Sequence, residues 1–148
     1  MKTIKILFLF VGMLVSVTVS AQDYVWAKRM GGIFGDRGNS IAVDASGNVY
    51  TTGYFEGTVD FDPGAGIANL TSSGVADIFV SKLDVLGNLV WAKKMGTNSN
   101  DIGFGLAVDA NGNVYTTGYF QGTADFDPGA GTANLTSAGN YDIFISKL

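Results

Sequence analysis

Short apolar runs of strand length alternate along the chain with short polar breaks that carry glycine. Ile41-Ala42-Val43-Asp44 leads through Ala45-Ser46-Gly47-Asn48 into Val49-Tyr50-Thr51-Thr52-Gly53-Tyr54-Phe55. This predicts a hairpin in which Gly and Asn supply the left-handed backbone angles of a short loop. A second hairpin is predicted where Asp77-Ile78-Phe79-Val80-Ser81-Lys82-Leu83-Asp84 passes through Val85-Leu86-Gly87-Asn88 into Leu89-Val90-Trp91-Ala92-Lys93-Lys94-Met95. Val49-Tyr50 and Ile78-Phe79-Val80 put apolar groups on both faces of a strand. A sheet built this way is expected to lie between other sheets rather than half in water.

The pattern repeats. Asp36–Leu83 returns as Asp101–Leu148, with 36 of 48 positions identical, no gap and an offset of 65 residues. Tandem self-similarity marks a unit that buries its apolar faces by stacking on its neighbours. Four antiparallel strands per unit, packed face to face around an axis, predict an all-β chain of β-propeller blades. A parallel β-helix is the second architecture, disfavoured because its rungs are shorter and lack paired hairpin turns. Between the two hairpins, Glu56 to Ala76 exceeds what a four-stranded blade needs, and Asp62-Pro63-Gly64 signals a turn. It reads as an extra hairpin or extended excursion at the blade's outer rim.

The phase of the repeat yields a boundary at each end. Val25-Trp26-Ala27-Lys28-Arg29-Met30-Gly31 matches Val90-Trp91-Ala92-Lys93-Lys94-Met95-Gly96, the last strand of a unit, without the rest of that unit before it. In a closed ring this orphan strand would pair beside Tyr141–Leu148 and complete the last blade. Propellers use about 4–8 blades, or roughly 260–520 residues at this period. The chain is therefore expected to be a truncated reading frame or the N-terminal piece of a longer protein. The other reading is self-association of short chains into a composite ring through exposed blade edges. The organisation expected is residues 1–21 as a leader, 22–35 as the orphan strand, 36–100 as the first repeat and 101–148 as an incomplete second.

The leader assignment rests on Lys2 and Lys5, an apolar run from Ile6 to Val19, and Val19-Ser20-Ala21 before Gln22. That order is a secretory signal peptide cleaved after Ala21, with an uncleaved anchor as the alternative. The chain is then secreted, extracellular or at the cell surface, with no membrane span after cleavage. There is no cysteine, so neither a lipid-modified cysteine nor a disulfide is available. The remaining 127 residues hold 7 basic and 13 acidic side chains, a net charge of −6 that argues against nucleic acid as a partner.

The phrases GNVYTTGYF, DIFVSKLD and GNLVWAKKMG resemble the bacterial β-propeller repeat family known as SBBP, found in large secreted and cell-surface proteins. The resemblance spans nearly all of the chain after the leader, and it implies an architecture and a location more than a chemistry. The excursion with Phe61-Asp62-Pro63-Gly64 departs from the shortest form of such repeats.

Candidate chemistry is narrow. With no His and no Cys, Ser-His-Asp and Cys-His nucleophile systems and the usual zinc shells are excluded. Carboxylates remain. Asp60 and Asp62, like Asp125 and Asp127, stand two apart, so both of a pair share one face of an extended segment. Three roles are open: acceptors for turn backbone groups, oxygen ligands for Ca²⁺, and catalytic carboxylates of a glycosidase type. Recurrence in each unit favours the first, and no EF-hand-like loop supports the second. Tyr54-Phe55, Tyr119-Phe120, Trp26 and Trp91 read as inter-blade packing before sugar stacking, Asn69-Leu70-Thr71 and Asn134-Leu135-Thr136 as ordinary strand rather than glycosylation sites, and Lys82 and Lys147 as rim residues.

Loops alternate between the ends of an up-and-down sheet. The tight 45–48 and 85–88 turns therefore share one rim, and the 56–76 excursion and 95–103 link share the other. Loops on rigid scaffolds carry most binding residues. A ligand is thus expected at the second rim, near Asp36, Asp60, Asp62, Asn98, Asn100, Asp101, Asp125 and Asp127. The favoured function is a non-enzymatic repeat scaffold presenting these loops to protein or glycan. The alternatives are part of a carboxylate-dependent glycan hydrolase or lyase, or a calcium-binding repeat module.

Overall fold

The computed structural model describes residues 23–148. The leader expected at residues 1–21 lies outside the described residues. Among the described residues, eleven strands and no helix make up the fold: β1 (Asp36–Val43), β2 (Val49–Phe55), β3 (Thr58–Asp60), β4 (Asn69–Thr71), β5 (Asp77–Leu83), β6 (Leu89–Met95), β7 (Ile102–Val108), β8 (Val114–Phe120), β9 (Thr123–Asp125), β10 (Asn134–Thr136) and β11 (Asp142–Lys147). β1-β2-β5-β6 form one antiparallel sheet and β11-β8-β7 a second, with β3-β4 and β9-β10 as separate two-stranded hairpins. These are propeller-like blades, and among the described residues their sheets do not close.

The expected hairpins form, but Gly and Asn divide the labour differently than anticipated. Gly47, Gly87 and Gly112 carry φ of +83°, +78° and +83°, while no described residue other than glycine has a positive φ. The asparagines act through their side chains. Asn48 Nδ2 donates to Asp44 Oδ2 at 2.8 Å, and Asp44 Oδ1 accepts the backbone N–H of Ser46 and Asn48. The same cage recurs at Asp84–Asn88 and Asp109–Asn113. Such local acceptors close a turn whose own N–H groups would otherwise lack partners.

Each blade's first strand is bulged, between Gly38 and Ser40 in β1 and between Gly103 and Gly105 in β7. The bulge pushes the Arg37 carbonyl onto Gly53 and the Ile102 carbonyl onto Gly118, where a Cβ would collide with backbone. The two bulged strands meet. Asn39 Nδ2 donates to Gly103 O at 2.8 Å, and Leu106 N donates to Ser40 Oγ at 3.2 Å.

Two apolar clusters carry the burial. Between the blades, Tyr50, Ile78, Val80 and Met95 of the first meet Val114, Phe120, Ala124, Phe126 and Phe144 of the second. On the other face of the first blade, Phe55, Val59, Phe61 and Phe79 form a smaller cluster against Met30 and Leu70. β5 is buried on both faces, while β11 alternates exposed and buried positions. Trp91 and Tyr50, of the same blade, meet edge-on at 6.1 Å, and Trp91 packs against the inter-blade cluster.

Two placements differ from expectation. The 56–76 excursion does form an extra hairpin, β3-β4, but it does not stand clear at the outer rim. It folds Val59 and Phe61 under the blade face, 1% and 2% exposed, with the Phe61 ring edge-on to Phe55 at 5.4 Å. Burying two large apolar groups outweighs extending them into water. The orphan segment 25–31 is not a strand here; its pairing beside β11 is expected only of a closed ring, and among the described residues the sheets do not close. It lies along the first blade, with Gly31 bridged antiparallel to Asp60 and Trp26 Nε1 donating to Val85 O at 3.1 Å.

Candidate functional site

At the long-loop rim, every aspartate named from sequence has backbone donors. Asp60 Oδ1 accepts the N–H of Asp62 at 3.0 Å and of Ala68 at 2.9 Å, and Asp125 Oδ1 accepts those of Asp127 and Ala133 at 2.9 and 2.8 Å. These bonds, first of all the one from Ala68 or Ala133, hold both carboxyls below the usual carboxylate range. Asp62 and Asp127 each accept one N–H through Oδ1, from Gly64 and Gly129, at 2.7 Å. The two turns are thus built identically by residues 65 apart.

Asp36 and Asp101 work one layer down, tying the link before each blade to the start of its excursion. Asp101 is fully buried; its Oδ2 accepts the N–H and hydroxyl of Thr97, and its Oδ1 accepts Gln121 N at 2.9 Å. Asp36 makes the matching bonds to Gly32 N at 2.7 Å and Glu56 N at 3.4 Å, but it is exposed because no blade stands before it among the described residues. Asn98 is exposed, and Asn100 is half-buried in a parallel bridge to Ala76.

The rim opens into two equivalent clefts. One, of about 370 Å³, lies between Lys28-Arg29 and Asp60-Asp62-Pro63-Gly64. The other, of about 280 Å³, lies between Lys94-Met95-Gly96 and Asp125-Asp127-Pro128-Gly129. Each sets cationic side chains, Lys28 and Arg29 of the N-terminal segment in one and Lys94 at the end of β6 in the other, opposite the carboxylates of the next excursion. The arrangement suits a hydrogen-bonding, uncharged or zwitterionic ligand, with donors on one wall and acceptors on the other. Among the described residues, no three of His, Cys, Asp and Glu converge as a metal cluster.

Sequence reasoning passed over Asp77. Its side chain is fully buried, with Oδ2 accepting Ser73 N at 2.9 Å and facing Lys94 Nζ at 3.4 Å, while Oδ1 has no hydrogen-bond partner. Burial raises its pKa, against the pull of the Ser73 N–H and the Lys94 ammonium. Its counterpart Asp142 is only half-buried, so the second blade is what removes Asp77 from water. Its place at the head of β5 carries no signal of its own in the sequence, because it packs beside Gly96 of the link and Asp101 of the next unit, which only the fold brings together. The opposite rim is formed by the Asp44, Asp84 and Asp109 turn cages, with the Lys82 ammonium 4.9 Å from the Tyr50 ring centre. The Asp-x-x-Gly-Asn spacing, present three times, could have revealed those cages.

The model of the Beta-propeller repeat family, SBBP, matches residues 25–54 and 90–123, two stretches that begin 65 residues apart. An uncharacterized WD repeat-containing protein of Acanthamoeba polyphaga mimivirus is 29% identical over 114 residues, which cover 68% of this chain and 8% of that protein. Regulatory protein FlaEY of Caulobacter vibrioides is 28% identical over 127 residues, covering 86% of this chain and 13% of that protein. The chain therefore spans a small part of the length of either relative. No solved structure matches.

Proposed function

We propose that this chain, which carries two β-propeller repeats, is a secreted or cell-surface interaction scaffold without catalytic activity, and that its long-loop rim receives a protein or glycan partner. The observation behind this reading is the pair of clefts that share an Asp-x-Asp-Pro-Gly wall, Asp60–Gly64 in one and Asp125–Gly129 in the other, each faced by a basic side chain. A repeated recognition surface gains avidity from two equal sites, whereas a catalytic centre needs one asymmetric constellation. The rim carboxylates accept turn N–H groups through Oδ1, which supports a positioning and recognition role for them. The leader pattern of Lys2, Lys5, an apolar run and Val19-Ser20-Ala21 supports a location outside the cell, and N-terminal mass mapping of exported protein should find Gln22 first.

Binding to a panel of extracellular polysaccharides and proteins tests the rim. Asp62→Asn combined with Asp127→Asn keeps the oxygen that each turn uses and removes the charge. It should weaken binding at least about tenfold with the melting temperature unchanged. Binding insensitive to this variant, or release of shortened glycan from the panel, would refute the reading.

A further inference from the structure

The charge that the inter-blade cleft presents is not that of its lining alone. Ser73 and Lys94 form one wall, and Asp125 and Asp127 the other. Beneath the first wall a single buried oxygen holds both of its polar residues. Asp77 Oδ2 accepts the Ser73 N–H at 2.9 Å and faces Lys94 Nζ at 3.4 Å. Lys94 Nζ also donates to Ser73 Oγ at 2.7 Å, which closes a triangle of contacts. The Lys94 side chain is 36% exposed and opens on the cleft, while Asp77 is fully buried and does not line it. An ionised Asp77 therefore neutralises the Lys94 ammonium from below, and the carboxylates of the opposite wall are left in excess.

Those carboxylates have capacity to spare. Asp125 and Asp127 accept their turn N–H groups through Oδ1, which leaves both Oδ2 atoms without a donor among the described residues. Asp77, by contrast, is ionised only at a cost. Its Oδ1 has no hydrogen-bond partner among the described residues, and a second carboxylate stands across Gly96. A Cβ placed on Gly96 would lie 2.8 Å from Asp77 Oδ1 and 3.1 Å from Asp101 Oδ2. Lys94 of β6 and Asp101 ahead of β7 are the charged groups that face Asp77. Burial, with Asp101 adding to it, favours the protonated form, and the Lys94 ammonium opposes it. All of these groups lie at the junction of the two described blades.

We propose that Asp77 is a positioning residue that sets which charge the inter-blade cleft admits, an inference that rests on the long-loop rim being the binding face. Ionised, Asp77 pairs Lys94, and the cleft takes a cationic group of a protein partner. A guanidinium fits best, because its planar fork of N–H donors matches the free oxygens of Asp125 and Asp127. Protonated, Asp77 leaves the Lys94 ammonium uncompensated, and that charge repels the incoming cation. The net charge of −4 favours the approach of a basic partner. Cation binding therefore strengthens as pH rises through the folded pKa of Asp77. By linkage, the bound cation lowers that pKa in return.

Carbon-13 NMR of the Asp77 carboxyl and of Lys94 Cε in residues 22–148 tests the coupling without any ligand. Both signals should report one titration step above the usual aspartate range, and Asp77→Asn should abolish the step at Lys94. N-acetylarginine amide and N-acetylcitrulline amide, alike in shape but not in charge, then probe the cleft, with the Gly129 amide as the local reporter. The wild type should prefer the arginine probe by about tenfold at neutral pH, and the preference should shrink below the Asp77 step. Asp77→Asn should show the small preference at every pH, and Lys94→Gln the large one; circular dichroism checks that both variants fold. A purely structural role for Asp77 would not move the two variants in opposite directions. A Lys94 signal that ignores the Asp77 step would overturn the proposal and leave rim binding untouched. Equal affinity for the two probes at every pH, or a Gly129 amide that responds to neither, would also overturn it, while the Asp62 and Asp127 variant still tests the rim separately.

Discussion

At the scale of single residues, the turn aspartates are the groups whose ionisation the fold uses. The Asn48 side chain, followed by backbone N–H groups and Tyr50, brings Asp44 down to about 2 against the cost of its partial burial, and Asn113 does the same for Asp109. A carboxyl with a folded pKa below its unfolded value of about 3.9 contributes stability above that value and loses it as pH falls toward the folded pKa. Acid should therefore weaken the protein between about pH 4 and pH 2. Asp44→Ala with Asp109→Ala should lower stability at neutral pH and flatten that acid limb, as read by urea unfolding at several pH values. Asp77 has the opposite sign. Its raised pKa means that the folded state holds a proton more tightly than the unfolded chain, so its contribution is present at low pH and is lost as pH rises through the folded value.

At the scale of elements, the bulged first strand dictates what its neighbour can be. The register skips between Gly103 and Gly105, and the Ile102 carbonyl then presses on Gly118 in the middle of β8. Gly118→Ala should cost about 1–3 kcal/mol, because a Cβ there meets backbone that cannot move aside as a side chain would. Gly139→Ala, where nothing lies within 4 Å of the added carbon, should stay within about 0.5 kcal/mol of wild type. Equal effects at the two sites in chemical denaturation would show that strand propensity, not the bulge contact, sets the requirement.

Across the whole molecule, the two repeats differ in environment more than in sequence. β5 lies between β2 and β6 with both faces covered, whereas β11 has one paired edge and one covered face. Amide exchange should be slow throughout β5. In β11 it should be faster by orders of magnitude. Uniform protection of the two strands in dilute solution would contradict this difference.

Strand positions, hairpin turns, the 65-residue unit and the choice of propeller-like blades were legible in the chain, because they depend on local patterning and on repetition, which a linear reading captures. Ile41–Asp44 and Val49–Phe55 paired as their alternation and their turn required, and the resemblance carried by GNVYTTGYF agrees with the family match at residues 25–54 and 90–123. That the 56–76 excursion lies at the opposite end of the sheet from the tight 45–48 and 85–88 turns was also legible, since loop alternation in an up-and-down sheet follows from strand count. The folding of the excursion under the blade was not, because the partners of Phe61 are Phe55 and Phe79 and only packing brings them together. Nor could repeat identity distinguish Asp77 from Asp142 or Ile78 from Ile143: identical residues acquire opposite burial when one has a blade in front of it and the other has water. The sequence by itself determined the unit and its local chemistry, while stacking decided that Asp77 and Ile78 are buried where Asp142 stays half-buried and Ile143 exposed, because their covering residues come from other strands that only the fold brings against them.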